Sequence, residues 1–534
     1  MPAAKFAKHR TTNTPESSPS KLRIPRAGDI YVQRSTNTGR YCAYQITHVE
    51  NTLPRDCVDV LWLDWVGNAL PTEVEIAAMR PLVITHHWNE RGIDHRRVTP
   101  SIPPSTYQYI ANRVPLVSAT SRSFSSWPSA RDQGAEVEAE WLDRNPERLR
   151  RFEAARNSER TITLGNQKVR ESFMRATPEI LDHITNLADL DKLPRLLEIE
   201  ARGPRPDLIA YLRTHDLLSR LTWNEHGQHV LDFRGVPHIE QIKLDVTGLE
   251  TLYLHETLRT LTLTGTLHPR LRIHAHDDGA LLTLGAPLAI AAPAQTDPGL
   301  PRLAHLYIEG ITQLDLAAIV TLFPALERLV LIGKPGTLQN FSAIARLPNL
   351  HHLHIEELFG YAAADFPPPD TYPHLALLSL ESIPADVATH VKKIYAPLKK
   401  TRILDLDVRK PRAPEWLAEN LDNPFRAWDG SEFVTPANAR RAAALYRKTL
   451  AELHARLEAP DAPTALPIWL NTLMRDWAAT FNAWDKRTSW IMTEERETIF
   501  EAIENILLYA ARSLPAAKIE VSALMNVFDE LRDF

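Results

Sequence analysis

One phrase recurs in the middle of this chain and limits what the chain can fold into. It reads Leu303-x-x-Leu306-x-Ile308, Leu326-x-x-Leu329-x-Leu331, Leu350-x-x-Leu353-x-Ile355 and Leu375-x-x-Leu378-x-Leu380. The starts lie 23, 24 and 25 residues apart, from 303 to 326, 350 and 375. A degenerate fifth copy is Ile403-Leu404-Asp405-Leu406. Apolar residues two apart mark a strand with one buried face. A nearly constant period means one supersecondary unit stacked on copies of itself. Pro324, Pro348 and Pro373 stand just before three of the strands, and residues 316–323 and 341–347 have helical spacing. Those segments are expected as an outer layer.

Upstream the phrase returns at shorter intervals, starting at Ile239, Leu249 and Leu258, spaced by 10 and 9. That leaves no room for a helix, so each strand is expected to be followed by a tight turn. Leu196-Leu197-Glu198-Ile199 is a candidate early strand, with residues 206–218 as its helix. The whole pattern, over residues 181–410, resembles a leucine-rich-repeat solenoid. The resemblance implies parallel strands on a concave face and helices on the convex one. The usual Asn after the strand is missing: Gly310, Gly333 and Glu357 occupy that neighbourhood. The turn geometry is therefore open.

With the core positions assigned, alternation puts their neighbours on the concave face. The candidate partner-binding residues are Tyr307, Glu309, Arg328, His352, His354, Glu356, Glu381, Asp405 and Asp407. One column reads Glu309, Ile332, Glu356, Glu381, Asp407. Rungs about 5 Å apart would make it a line of negative potential that attracts a basic protein. The alternative is a solvated charged face. His352 and His354 could share a metal, but no third ligand is evident, and no metal or other cofactor is expected.

The flanks read differently. Residues 1–25 are basic and Ser/Thr/Pro-rich, a disordered tail; residues 26–98 hold short alternating strands, a small β domain. Residues 99–134 are rich in Pro and Ser and read as a linker, and 135–180 as a helical connector. Beyond 410 the pattern is helical to the end, an all-α domain of residues 411–534. Thr435-Pro436 opens a long helix as N-cap and first helical residue. Trp477, Phe481 and Trp484 form one apolar stripe. The fold class is thus multidomain α+β.

The chain has 534 residues, too many for one compact core unless it is an array. With 61 basic and 66 acidic side chains it lacks the bulk signature of a nucleic-acid binder. Glycine is scarce at 19, and no phosphate loop, dinucleotide fingerprint, zinc-helix or nucleophile-elbow motif occurs. The two cysteines, Cys42 and Cys57, exclude a disulfide scaffold and leave no thiol nucleophile beyond residue 57. Both are expected reduced, on neighbouring strands. The most apolar stretch, 280–294, is broken by Pro287 and Pro293 and is too short to span a bilayer. A cytoplasmic protein is expected, with no membrane partner.

The segments Ala27-Gly28-Asp29-Ile30-Tyr31, Gly39-Arg40-Tyr41 and Tyr44-Gln45-Ile46 resemble the opening of the bacterial immunity protein 26 family. That family is associated with polymorphic-toxin loci. The resemblance covers 60–80 residues and carries no catalytic residues. The element from Asn423 to Gly430 resembles one found in bacterial repeat proteins of unassigned role. The expected function is a non-enzymatic protein-binding protein, an immunity protein that occludes a cognate toxin, a basic domain, through the repeat face. The alternatives are a secreted effector with a cysteine-independent, ubiquitin-ligase-like C-terminus, and a cytoplasmic scaffold.

Overall fold

The repeated phrase forms strands that stack in register. In a computed structural model, an 11-stranded sheet runs from Arg175–Ala176 to Asp405–Arg409. Between Arg175–Ala176 and His352–Phe359 every neighbouring pair is parallel. The structure describes residues 23–534 except 36–37, 51–56, 86–91, 100, 105, 126, 129–133, 292–296, 401–404, 421–422, 429–430, 432 and 487–488. Most of the expected tail, and Ile403 and Leu404, lie outside the described residues.

The register produces a continuous apolar column. Ala176, Ile199, Leu221, Ile242, Leu261, Leu284, Leu306, Leu329 and Leu353 are successive partners across the sheet. None exceeds 1% exposure. Ile308, Leu331 and Ile355 form a second column two residues on, and Leu378 and Leu380 are equally buried. Fully burying one such side chain is worth about 1.5–3 kcal/mol. The column exists only if each strand keeps its register, because a slip of one residue turns the leucines outward.

The closely spaced upstream phrases differ from expectation. Gln241–Asp245 and Thr260–Thr264 are neighbours in the large sheet, but Thr251–Tyr253 lies in a second, three-stranded parallel sheet with Val230–Asp232 and Arg272–His274. Alternate phrases therefore face each other across the core, and Leu231, Leu252 and Ile273 are the buried column of the second sheet. Downstream, helix Leu316–Leu322 and the 3-10 turn Phe341–Arg346 take the place of that second sheet.

The turns after the strands use other chemistry than an Asn ladder. Gly310, Glu225, Glu357 and Ser382, each just beyond a repeat phrase, are left-handed, with φ of 67°, 54°, 51° and 54°. At Gly333 a Cβ would meet the Glu357 carbonyl oxygen at 2.1 Å, so close approach of the next turn demands glycine there. Elsewhere side chains bridge the turn. Asp245, Asp277 and Asp315 accept from the backbone N–H two residues on, at 3.0, 3.2 and 2.8 Å. The Nδ1 of His226 and His268 does the same for Gln228 and Arg270, at 2.9 and 3.2 Å.

Before the array, six strands form a sheet in the order Tyr107–Asn112, Asp29–Arg34, Tyr41–Glu50, Cys57–Gly67, His95–Val98, Phe124–Ser125. Segment 99–134 is thus no free linker. Its strands Tyr107–Asn112 and Phe124–Ser125 pair with Asp29–Arg34 and His95–Val98, and Tyr107 and Trp127 join the core around Tyr44 and Trp62. Pro and Ser concealed two short strands. Two residues of the opening strands hold the segment. Buried Gln45 donates to the Val114 carbonyl at 3.2 Å and accepts from the Leu116 N–H at 2.8 Å. Buried Asp29 accepts from the Asn112 side-chain amide at 2.8 Å.

The connector 135–180 is helical in Gly134–Leu142 and Pro146–Ala154, and again at its end where helix Pro178–Asp182 begins. A hairpin of Thr161–Leu164 with Gln167–Arg170 follows the second of these, and the first rung, Arg175–Ala176, precedes the expected boundary at 181. Cys42 and Cys57 lie on adjacent strands, buried and unpaired with each other.

The chain divides into two compact units: residues up to Leu380 with Thr389–Val408, and Glu381–Ala388 with Arg409–Phe534. The second contains helices Pro436–Leu457, Ala462–Asp485, Thr493–Ser513 and Val521–Leu531. The Thr435 hydroxyl accepts from the Asn438 N–H at 3.2 Å, as an N-cap does. Trp477 and Phe481 are buried and Trp484 packs beside them. Phe425, 1% exposed, inserts its ring between Trp428, Trp477 and Phe481. Asn423 shapes that turn by accepting from the Phe425 N–H at 3.0 Å.

Truncating one member of the column tests this architecture. Leu353→Ala should cost about 2–5 kcal/mol in chemical denaturation. Hydrogen exchange should accelerate in the flanking strands Arg328–Gln339 and Leu377–Glu381 as well, because each rung is buried by its neighbours.

Candidate functional site

The open face of the large sheet carries polar rows beside the buried column. One row is Arg175, Glu198, Arg220, Gln241, Thr260, Thr283, His305, Arg328, His352. At its start, Arg220 pairs with Glu198 at 3.1 Å, and Arg175 pairs with Glu200. The middle is threonine. At its end, His305 Nδ1 lies 3.1 Å from the Thr283 hydroxyl, and Arg328 follows.

Here the sequence-derived candidates meet. The Arg328 guanidinium lies 5.0 Å from the centroid of the Tyr307 ring, one strand away. His352 is the next partner of Arg328 and His354 that of Val330. His354 Nε2 lies 3.2 Å from a Glu356 carboxylate oxygen. Burial, then Arg328 and His354, push the His352 imidazole down to about 3. It is therefore neutral at physiological pH, and a cation at His352 would face Arg328 directly. Tyr307, Arg328, His352, His354 and Glu356 form one contiguous patch of ring, guanidinium, imidazole and carboxylate.

The acidic column is less uniform than the spacing implies. Ile332 and Glu356 are partners, but the register slips after Ile308, so Glu309 stands exposed at the bulge with no rung opposite. Glu381 is matched by Arg409 at 3.1 Å and Lys410 at 3.2 Å. Asp405 is exposed and Asp407 half-buried. Arg409 and Lys410, at the end of the next strand and just after it, thus cancel part of the potential, which the strand phrase alone did not reveal.

The connector also supplies polar groups that no motif marked. Arg144 reaches Glu240 at 3.4 Å, Arg148 reaches Asp216 at 3.1 Å, and Glu140 reaches Arg259 at 3.3 Å. These pairs join residues far apart in sequence, where no local spacing signals contact. No family model matches this chain, and no curated protein does.

Buried His215 and His255 and half-buried His352 couple the unit's stability to pH. Burial pushes His215 and His255 down to about 4, and His352 to about 3. In the unfolded chain each titrates near about 6.5. Below that pH the unfolded chain binds protons that the folded chain refuses. Stability is therefore full above pH about 6.5 and falls as the pH drops towards 4, by up to about 1.4 kcal/mol per unit for each group. Thermal melts between pH 7 and about 5 should show this fall. His255→Gln should reduce its slope.

Proposed function

We propose that the chain is a non-enzymatic protein-binding protein: its parallel sheet a leucine-rich-repeat-like solenoid, its occupant a toxin domain that it neutralises as an immunity protein. The observation that carries this reading is the Arg328 guanidinium on the Tyr307 ring, at the centre of a patch with His352, His354 and Glu356. Aromatic and arginine side chains are the usual anchors of protein interfaces. Here the buried leucines hold them in register on a stiff sheet, so little order has to be gained on binding. Glu309 and Glu356 would steer a basic toxin surface into that patch. The N-terminal segment around Gly28-Asp29 and Gln45 supports the immunity reading through its family resemblance, and such a protein would act in the cytoplasm.

Mechanistically this is stoichiometric occlusion. The protein covers the toxin's active surface and performs no chemistry. If a toxin domain is encoded next to this chain's gene, the test is co-expression with it; a gene neighbourhood without one would count against the reading. Cells making the intact protein should survive. The Tyr307→Ala/Arg328→Ala double variant should bind the toxin at least about 30-fold more weakly, roughly 2 kcal/mol, and lose protection. Its denaturation midpoint should be close to that of the parent, since both side chains are on the open face. Full protection by the double variant would sink the proposal.

A further inference from the structure

A second site lies at the other border of the same unit, where the connector helices meet the turns that enter the strands. A cleft of about 520 Å³ opens there, lined by Glu140, Asp143, Arg144, His238, Glu256 and Arg259 among others. Glu140, Asp143 and Arg144 come from the end of helix Gly134–Leu142 and the turn after it. His238, Glu256 and Arg259 come from the turns before strands Gln241–Asp245 and Thr260–Thr264. Its volume is that of an ordinary small-ligand pocket.

The charges in the cleft are of two kinds. Two carboxylates already hold guanidinium groups sent from the opposite wall: Glu140 takes Arg259 at 3.3 Å and Glu240 takes Arg144 at 3.4 Å. Asp216 takes Arg148 at 3.1 Å. Asp143 and Glu256 are left. Among the described residues, neither has an ion pair or side-chain hydrogen bond, and both are exposed to the cleft's water. His238 adds no compensating charge, because burial, then Arg144, lower its basicity. Partial burial also holds the Glu140 carboxyl above its usual range, so the wall is drier than open surface. Pro237, Leu258 and Leu281 add apolar lining to the same cleft.

We infer that this cleft binds an alkyl-guanidinium or alkyl-ammonium group, the chemistry of an arginine or lysine side chain, with its stem on Leu258 and Leu281 and its head between Asp143 and Glu256. The pairs Glu140–Arg259 and Glu240–Arg144 display the same recognition intramolecularly: each cleft carboxylate that the protein's own guanidiniums reach is occupied. Cavity, apolar lining and two unmatched carboxylates leave room for one more, delivered from outside. The cation could belong to a free small molecule or to the side chain of a basic protein. This inference does not rest on the open face of the sheet.

Calorimetric titration of the full chain separates these outcomes. Agmatine and a short capped peptide carrying one arginine are the probes, and the same peptide with citrulline is the uncharged control. Saturable binding of both cationic probes, and not of the citrulline peptide, is the expected result. Tight agmatine binding with weak peptide binding would mark a small-molecule site, and the reverse a side-chain socket. Asp143→Asn with Glu256→Gln should weaken binding about tenfold, roughly 1.4 kcal/mol, and leave the melting curve unchanged, because neither carboxylate holds the fold together. Absence of saturable binding by either cation, equal binding of the citrulline peptide, or indifference to the double substitution would each overturn the inference.

Discussion

The 11-stranded sheet depends on one column of buried side chains being kept in step. From Ala176 to Leu353 the same position of each strand meets the same position of the next. Parallel pairing cannot be made by a hairpin, so each rung must be reached by a crossover. The crossover is helical at first, through Leu208–Thr214, then a strand of the second sheet, then again a short helical segment. Both solutions bring an apolar face against the same column, which is why the two halves can share one sheet although their lengths per turn differ.

That column was legible in the sequence where its period was regular. The phrases from Leu303 to Leu380 specify strands, core positions and outward neighbours, and each core residue is buried as the alternation requires. The upstream phrases were legible as strands but not as two sheets. Spacings of 10 and 9 tell how much chain separates two strands and nothing of which side of the core each occupies. The turns were illegible for a different reason. The position of a missing asparagine is filled by left-handed Glu357 and Gly310 and by histidine and aspartate side chains bonding to their own turn, none of which repeats as a motif.

Composition misled most where long-range hydrogen bonds decide the structure. Segment 99–134 looks like a linker because its prolines and serines outnumber its strand formers. Its order comes from outside: Gln45, about 70 residues earlier, clamps both carbonyl and N–H groups of the passing chain. The acidic column failed similarly. Glu309 and Glu356 occupy equivalent places in the phrase, yet a bulge after Ile308 takes the first out of the row. The patch that remains, Tyr307 with Arg328 and the histidines, was legible because its members sit on the strands whose register the leucines enforce.

The two candidate sites use the column in different ways. On the open face, side chains project from mid-strand, where hydrogen bonds to both neighbours leave the backbone little freedom. The Tyr307–Arg328 stack thus inherits the rigidity of the rungs and suits a partner that is itself rigid. The cleft lies where strands begin, among turns that the connector fastens through Arg144–Glu240 and Glu140–Arg259. Arg259–Glu140 is partly exposed and worth about 1 kcal/mol or less, whereas Arg144 is buried and losing its partner Glu240 would cost more. The Arg259 side of the wall can therefore give way to a ligand at small cost while the Arg144 side and the strand starts stay fixed. A change that loosens the column would disturb both sites, whereas a change in the connector would reach the cleft and leave the sheet face intact. That asymmetry follows from register alone: the face is built by the leucines, and the cleft by what leans against their turns.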